Sequence, residues 1–136
     1  MNARTTDNPI LSWFASLLPS KKNEPVFSDC HIVTDREGFK IVKEVALLEA
    51  VAWPSVSIIV AYKRDLITTD LICFEIVLDD GSMIEINEEM DGFDLFLNGL
   101  ESTFESYNRT WPDSVVLPPF APNRTLVYSG IAPANR

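Results

Sequence analysis

Leu71-Ile72-Cys73-Phe74-Glu75-Ile76-Val77-Leu78-Asp79-Asp80-Gly81-Ser82-Met83-Ile84-Glu85-Ile86 is the stretch whose reading decides the fold. Ile72, Phe74, Ile76 and Leu78 alternate, which places them on one face of a strand, and Asp80-Gly81 favours the positive φ angles of a tight hairpin turn. Met83 to Ile86 is then the return strand. Glu75 and Glu85 fall on alternating positions and are expected to face water. A helix follows almost at once. Asp91 is placed to cap it, and Phe93, Phe96, Leu97, Leu100 and Phe104 recur at helical spacing. Three phenylalanines on one stripe predict a helix over about 92–104 closing over a sheet, each burial contributing roughly 1.5–3 kcal/mol. Gly99 is expected on the opposite face, where it costs about 1 kcal/mol relative to Ala.

Upstream, Val26 to Val33, the turn Asp35-Arg36-Glu37-Gly38 and Phe39 to Val45 predict another hairpin. Ala46 to Ala52 reads equally as helix or strand. Trp53-Pro54-Ser55 breaks the chain. Val56, Ile58, Val60 and Tyr62 then alternate with Ser57, Ile59 and Ala61, a strand buried mainly on one face. Near the N-terminus, Ile10, Leu11, Trp13, Phe14, Leu17 and Leu18 follow helical spacing, with Asn8 as N-cap and Pro9 at the first helical position. This predicts an amphipathic helix over 9–19 that packs on the sheet or on a second copy. Its candidate self-association residues are Ile10, Trp13, Phe14 and Leu17. The run from Ile10 to Leu18 is too short to span a bilayer, which takes about 20 residues, and no signal-cleavage pattern follows it. A cytoplasmic protein that does not engage membranes is the expectation.

Downstream, Trp111-Pro112 and Val115-Val116-Leu117-Pro118-Pro119-Phe120 predict an extended tail over 105–136, since proline cannot donate to a sheet ladder. Thr125 to Tyr128 is a candidate short edge strand. The 136 residues allow one domain, with sheet and helix core over 26–104. The expected class is α+β: about five antiparallel strands in a bent sheet, closed by a helix.

Trp53, Val56, Ile59, Ala61-Tyr62-Lys63, Asp65, Asp70, the apolar strand to Leu78, Glu88-Glu89 and Gly92-Phe93 carry a resemblance. On these residues the stretch from Trp53 to Leu100 resembles small uncharacterised bacterial proteins of pleckstrin-homology-like fold. The resemblance implies a bent antiparallel sheet, of the split-barrel kind, closed at one end by a helix. It implies no site residue. The basic loop cluster with which lipid-binding members of that fold hold phosphates is missing here.

Charge is unevenly laid out. Eleven Lys and Arg stand against 20 Asp and Glu, a formal charge of −9, which speaks against nucleic acid and anionic lipid as partners. Between Asp65 and Asn108 there is no Lys or Arg, yet this segment holds 12 acids. One hairpin-plus-helix unit therefore concentrates the negative charge. It reads either as a solvated acidic face or as a docking surface for a basic protein, with Asp79, Asp80, Glu85, Glu88, Glu89, Asp91 and Asp94 as candidate contacts.

Catalytic equipment is sparse. General-base and nucleophile chemistry would have to be built on a single histidine, His31. Its neighbour Cys30 points to the opposite face of a strand. Cys30 and Cys73 form no C-x-x-C pair and are expected to be buried. Asn87, Glu89, Asp91 and Gly92 imitate the start of a calcium loop, but Asn98 stands where a bidentate Glu is needed. No Gly-rich phosphate loop is present. The expectation is a non-enzymatic interaction domain without metal or cofactor, in one version an immunity protein that neutralises a toxin. The alternative is a small carboxylate-dependent enzyme around Glu75, Glu85 and Glu88.

Overall fold

The computed structural model describes residues 29–119 and 121–130. The helix expected over 9–19, with Ile10, Trp13, Phe14 and Leu17, lies outside the described residues. Two antiparallel sheets and two helices make an α+β architecture. The first sheet has the order β1-β2-β3, from His31–Thr34, Gly38–Lys43 and Ala46–Ala52. A 3₁₀ turn at Trp53–Ser55 then carries the chain to the second sheet, of order β6-β5-β4-β7. Its strands are β4, Val56–Asp65; β5, Asp70–Leu78; β6, Met83–Asn87; and β7, Thr125–Ser129. Helix α1, Phe93–Thr103, lies against β1, and helix α2, Trp111–Val116, against β4 and β7.

The expectation of about five strands is corrected to seven among the described residues. The ambiguous stretch Ala46–Ala52 is a strand because it pairs along β2, Phe39 opposite Val51 and Lys40 opposite Ala50. The tail is not extended throughout. Trp111–Val116 is helical with Pro112 in its first turn, where a missing N–H costs nothing. β7 closes the edge of β4. The hairpin at Asp80-Gly81 forms, but over the four residues Asp79 to Ser82 and with a positive φ at Gly81 alone, 89°; Asp80 accepts hydrogen bonds from the backbone and hydroxyl of Ser82.

One apolar core lies between the two sheets and α1. It takes Ile32, Phe39, Ile41 and Val51 from the first sheet and Ile59, Ala61, Phe74, Ile76, Ile84, Ile86 and Val127 from the second. The expected face of β5 holds: Phe74 and Ile76 are fully buried, with Ile72 and Leu78 packed at the margin. On β4 the parity differs from the simple alternation. A bulge between Val56 and Ile58 brings Val56, Ile59 and Ala61 onto the core side, and Val60 and Tyr62 onto the outer one.

Two details at α1 also depart from expectation. The residue at its N-cap is Gly92, with φ 90°, rather than Asp91. Asp91 is occupied otherwise: its carbonyl accepts from the Ile32 amide at 2.8 Å, forming a bridge to β1. A side chain at position 92 would overlap the Ile32 carbonyl oxygen, so only glycine allows strand and helix to approach this closely. Gly99 does not lie on an open face. A Cβ there would sit 2.8 Å from the Thr34 methyl and 3.0 Å from the Trp53 ring.

That contact reverses the sign of a substitution. On helix propensity alone Gly99→Ala would stabilise by about 1 kcal/mol. Against the buried Trp53 ring it is expected to destabilise by about 1 kcal/mol or more, through overpacking. Urea unfolding of the variant checks this, and a raised midpoint would show that the ring yields.

Candidate functional site

The second sheet is buried on both faces. On its outer face β4 presents Tyr62 and Arg64, β5 presents Leu71, Cys73 and Glu75, and β6 presents Glu85. The register sets Tyr62 opposite Cys73, Arg64 opposite Leu71, and Glu75 opposite Glu85. Arg124, just ahead of β7, reaches over the same face. Tyr62, Leu71 and Cys73 form a second small apolar cluster, with Leu66 against it.

Two carboxylates directly opposite on neighbouring strands repel, and the arrangement survives because each holds its own guanidinium. Arg124 pairs with Glu75, whose side chain is only 1% exposed, through both terminal nitrogens. Arg64 pairs with Glu85 and also donates to the Tyr62 hydroxyl at 3.0 Å. The Arg124 guanidinium lies over the Tyr62 ring, 5.1 Å from its centroid. The result is a closed circuit of two ion pairs stitched together by one phenol.

Burial dictates the proton chemistry of this circuit. It pushes the Glu85 carboxyl above its ordinary value of 4.5, with a smaller push from Glu75, while Arg64 and the Tyr62 hydroxyl oppose it. Burial likewise raises the Cys73 thiol and the Tyr62 phenol far above their usual ranges. Both stay protonated at neutral pH, so neither acts there as thiolate nucleophile or phenolate base. The carboxylates are held by arginines and shielded from water.

The expectation that Glu75 and Glu85 face water is therefore corrected for both: Glu75 is buried and Glu85 half-buried, each ion-paired. The signal was present in β5. Leu71, Cys73 and Val77 alternate with Ile72, Phe74, Ile76 and Leu78, so both faces are apolar, the mark of a strand covered on both sides. A lone Glu in such a strand must find a cation. Sequence reasoning missed Tyr62, Arg64 and Arg124 as its surroundings, because Arg124 is 49 residues away.

The structure does not gather the seven acidic candidates onto one face. Asp79 and Asp80 sit exposed at the β5–β6 turn, and Glu85 lies within the circuit. Glu88, Glu89, Asp91 and Asp94 are exposed at the other end of β6, roughly 15 Å away by strand rise. Glu88 also accepts from the Ile72 amide at 2.9 Å. At the calcium-like stretch, Asn87 is buried and its side-chain oxygen accepts from the Glu89 amide at 2.9 Å. Among the described residues no group of three or more His, Cys, Asp and Glu side chains is placed to hold a metal ion. Cys30 and Cys73 are both buried and unbridged. Lys63, also buried, donates to the Val116 and Pro118 carbonyls at 2.5 and 2.8 Å and pairs with Asp70 at 3.1 Å, which ties α2 to β4.

No protein-family model, curated protein or solved structure matches the chain. None of the described helices is long and apolar enough to cross a membrane.

Two outcomes follow for the circuit. Arg124→Leu leaves Glu75 as a buried charge without its guanidinium and is expected to cost about 3–5 kcal/mol in urea unfolding; pairing it with Glu75→Leu should recover most of that. For Glu85 the folded-state value is raised, so its protonation favours the fold. That contribution is full below pH 4.5 and is lost as pH rises through the folded value. Glu85→Gln removes the loss. The stability of this variant relative to wild type should grow between pH 4 and pH 7, and a difference independent of pH would overturn the assignment.

Proposed function

We propose that this chain is a non-enzymatic interaction domain whose acidic corner between β6 and α1 docks a basic protein. One observation carries the reading. Of the 12 acids between Asp65 and Asn108, Asp70, Glu75, Glu85 and Glu101 take a Lys or Arg from outside the segment: Lys63, Arg124, Arg64 and Arg109. Glu88, Glu89, Asp91 and Asp94 are exposed within seven residues of chain, and none of them pairs with a cation among the described residues. Asp94 lies in the first turn of α1, where the helix dipole favours an anion. Asp91 adjoins the same helix start and Glu88 also holds the Ile72 amide, and together the four offer a negative field to a cationic surface.

The carboxylate-dependent enzyme is the weaker reading. Glu75 and Glu85 are clamped and shielded, and Glu88 stands apart from them at the surface. A pleckstrin-homology-like arrangement and a cytoplasmic, bacterial setting belong to the same proposal. Its support is the pair of antiparallel sheets sharing one core with α1. An immunity protein is the form of the proposal in which the basic partner is a toxin.

Capture from the native host at low and high salt tests the reading. A basic protein should be retained at low salt and released at high salt. The triple variant Glu88→Lys, Glu89→Lys, Asp94→Lys should weaken its binding by roughly tenfold or more. Retention that ignores both salt and charge reversal would overturn the assignment.

A further inference from the structure

We propose that the outward face of the β2–β3 hairpin is a self-docking surface, on which a second copy of this chain packs about a two-fold axis. The hairpin carries a ridge at one end and a hollow at the other. Near its turn, Val45 is 98% exposed, Leu47 58% and Leu48 43%. At its opposite end, small side chains replace large ones. Gly38, Ala50 and Ala52 floor an open depression of about 300 Å³, with Glu37 and the ion pair of Lys40 and Asp35 on its rim.

A surface with a knob at one end and a hole at the other is complementary to itself. Rotating a second copy by a half-turn about an axis through the middle of the hairpin lays each leucine ridge into the other copy's alanine-floored hollow. This is the geometry of an isologous contact. Charge favours this face as well. Two molecules of net charge −9 repel, and the Asp65–Asn108 side carries the excess. The hairpin from Gly38 to Ala52 is balanced, with Lys40 and Lys43 against Glu44 and Glu49. The half-turn also brings Lys43 of one copy towards Glu37 of the other, and its Glu44 towards Arg36, while Asp35 keeps Lys40 of its own chain at 3.7 Å. Val33, on the same outward side of β1 next to Lys40, extends the apolar surface.

Sedimentation velocity of the full chain over a concentration series should show mass rising from monomer to dimer. Leu47→Lys charges the ridge and Ala50→Glu charges the hollow. Both positions are exposed, so unchanged circular dichroism and urea midpoints are expected. Each variant alone should weaken dimerisation by roughly tenfold or more. An equimolar mixture of the two should form heterodimers by native mass spectrometry. In the mixed pair one ridge-and-hollow contact sets the introduced ammonium against the introduced carboxylate and the other remains wild type, whereas either homodimer has both contacts damaged. A wild-type chain that stays monomeric throughout the series overturns the proposal. So does a dimer that persists in both variants, which would place the contact elsewhere, or a mixture with no recovery.

Discussion

Phe96 is the contact on which the two sheets depend. Its ring, fully buried on α1, meets Phe39 of the first sheet at 5.0 Å, Trp53 of the 3₁₀ turn at 6.0 Å and Phe74 of the second sheet at 6.1 Å between centroids. The Phe39 and Phe74 contacts are edge-on, the arrangement that aromatic quadrupoles favour. Phe74 in turn meets Trp111 of α2 at 4.9 Å. One side chain thus joins both sheets through α1, and its second neighbour joins α2. The other constraints serve this contact. Gly92 lets the helix start hard against β1, and Gly99 lets it lie on the Trp53 ring. Trp53 is itself anchored by its indole N–H, which donates to the Asp35 carbonyl at 3.3 Å.

The aromatic cluster occupies one face of the second sheet, and the ionic circuit occupies the other. Their chemistry differs because their demands differ. Apolar packing is tolerant of direction, whereas the buried carboxylates of Glu75 and Glu85 need donors at fixed positions. Arg64 is supplied by β4 itself, within the same sheet. Arg124 arrives from the far end of the described chain, just before β7 pairs with β4. β7 therefore closes the edge of β4 and delivers the cation for Glu75 in one step. Removing β7 would lose both, which couples this strand to the stability of the central hairpin.

How much of this the sequence disclosed follows from the range of each interaction. The β5–β6 hairpin and α1 were legible because their signals are local: alternation, Asp-Gly, and a Phe and Leu stripe at helical spacing. The core face of β5 followed from the same alternation. Ala46–Ala52 was ambiguous because alanine and leucine suit either period, and only pairing with β2 makes it a strand. The helix at Trp111–Val116 was hidden because Trp-Pro reads as a break, although proline is harmless in a first turn. Glu75 and Glu85 were misplaced for a longer-range reason. Alternation says which side of a strand a residue takes, but not whether that side is covered. The apolar residues on both faces of β5 were the available warning.

The same distinction bears on charge. Counted along the chain, one segment holds 12 acids and no base, which suggests a single continuous negative surface. In three dimensions Lys63, Arg64, Arg109 and Arg124 enter that segment from either side and neutralise acids spread over β5, β6 and α1. Folding thus converts a broad anionic run into a smaller one, since paired acids lose most of their reach. Apart from the exposed Asp65 and Glu105, what remains outward lies at the β5–β6 turn and at the β6–α1 corner, separated by the length of β6. At a physiological Debye length of about 8 Å, sites roughly 15 Å apart act nearly independently. A cationic partner would therefore meet two small anionic patches in place of one large one, and the corner, with four carboxylates against two, is the stronger.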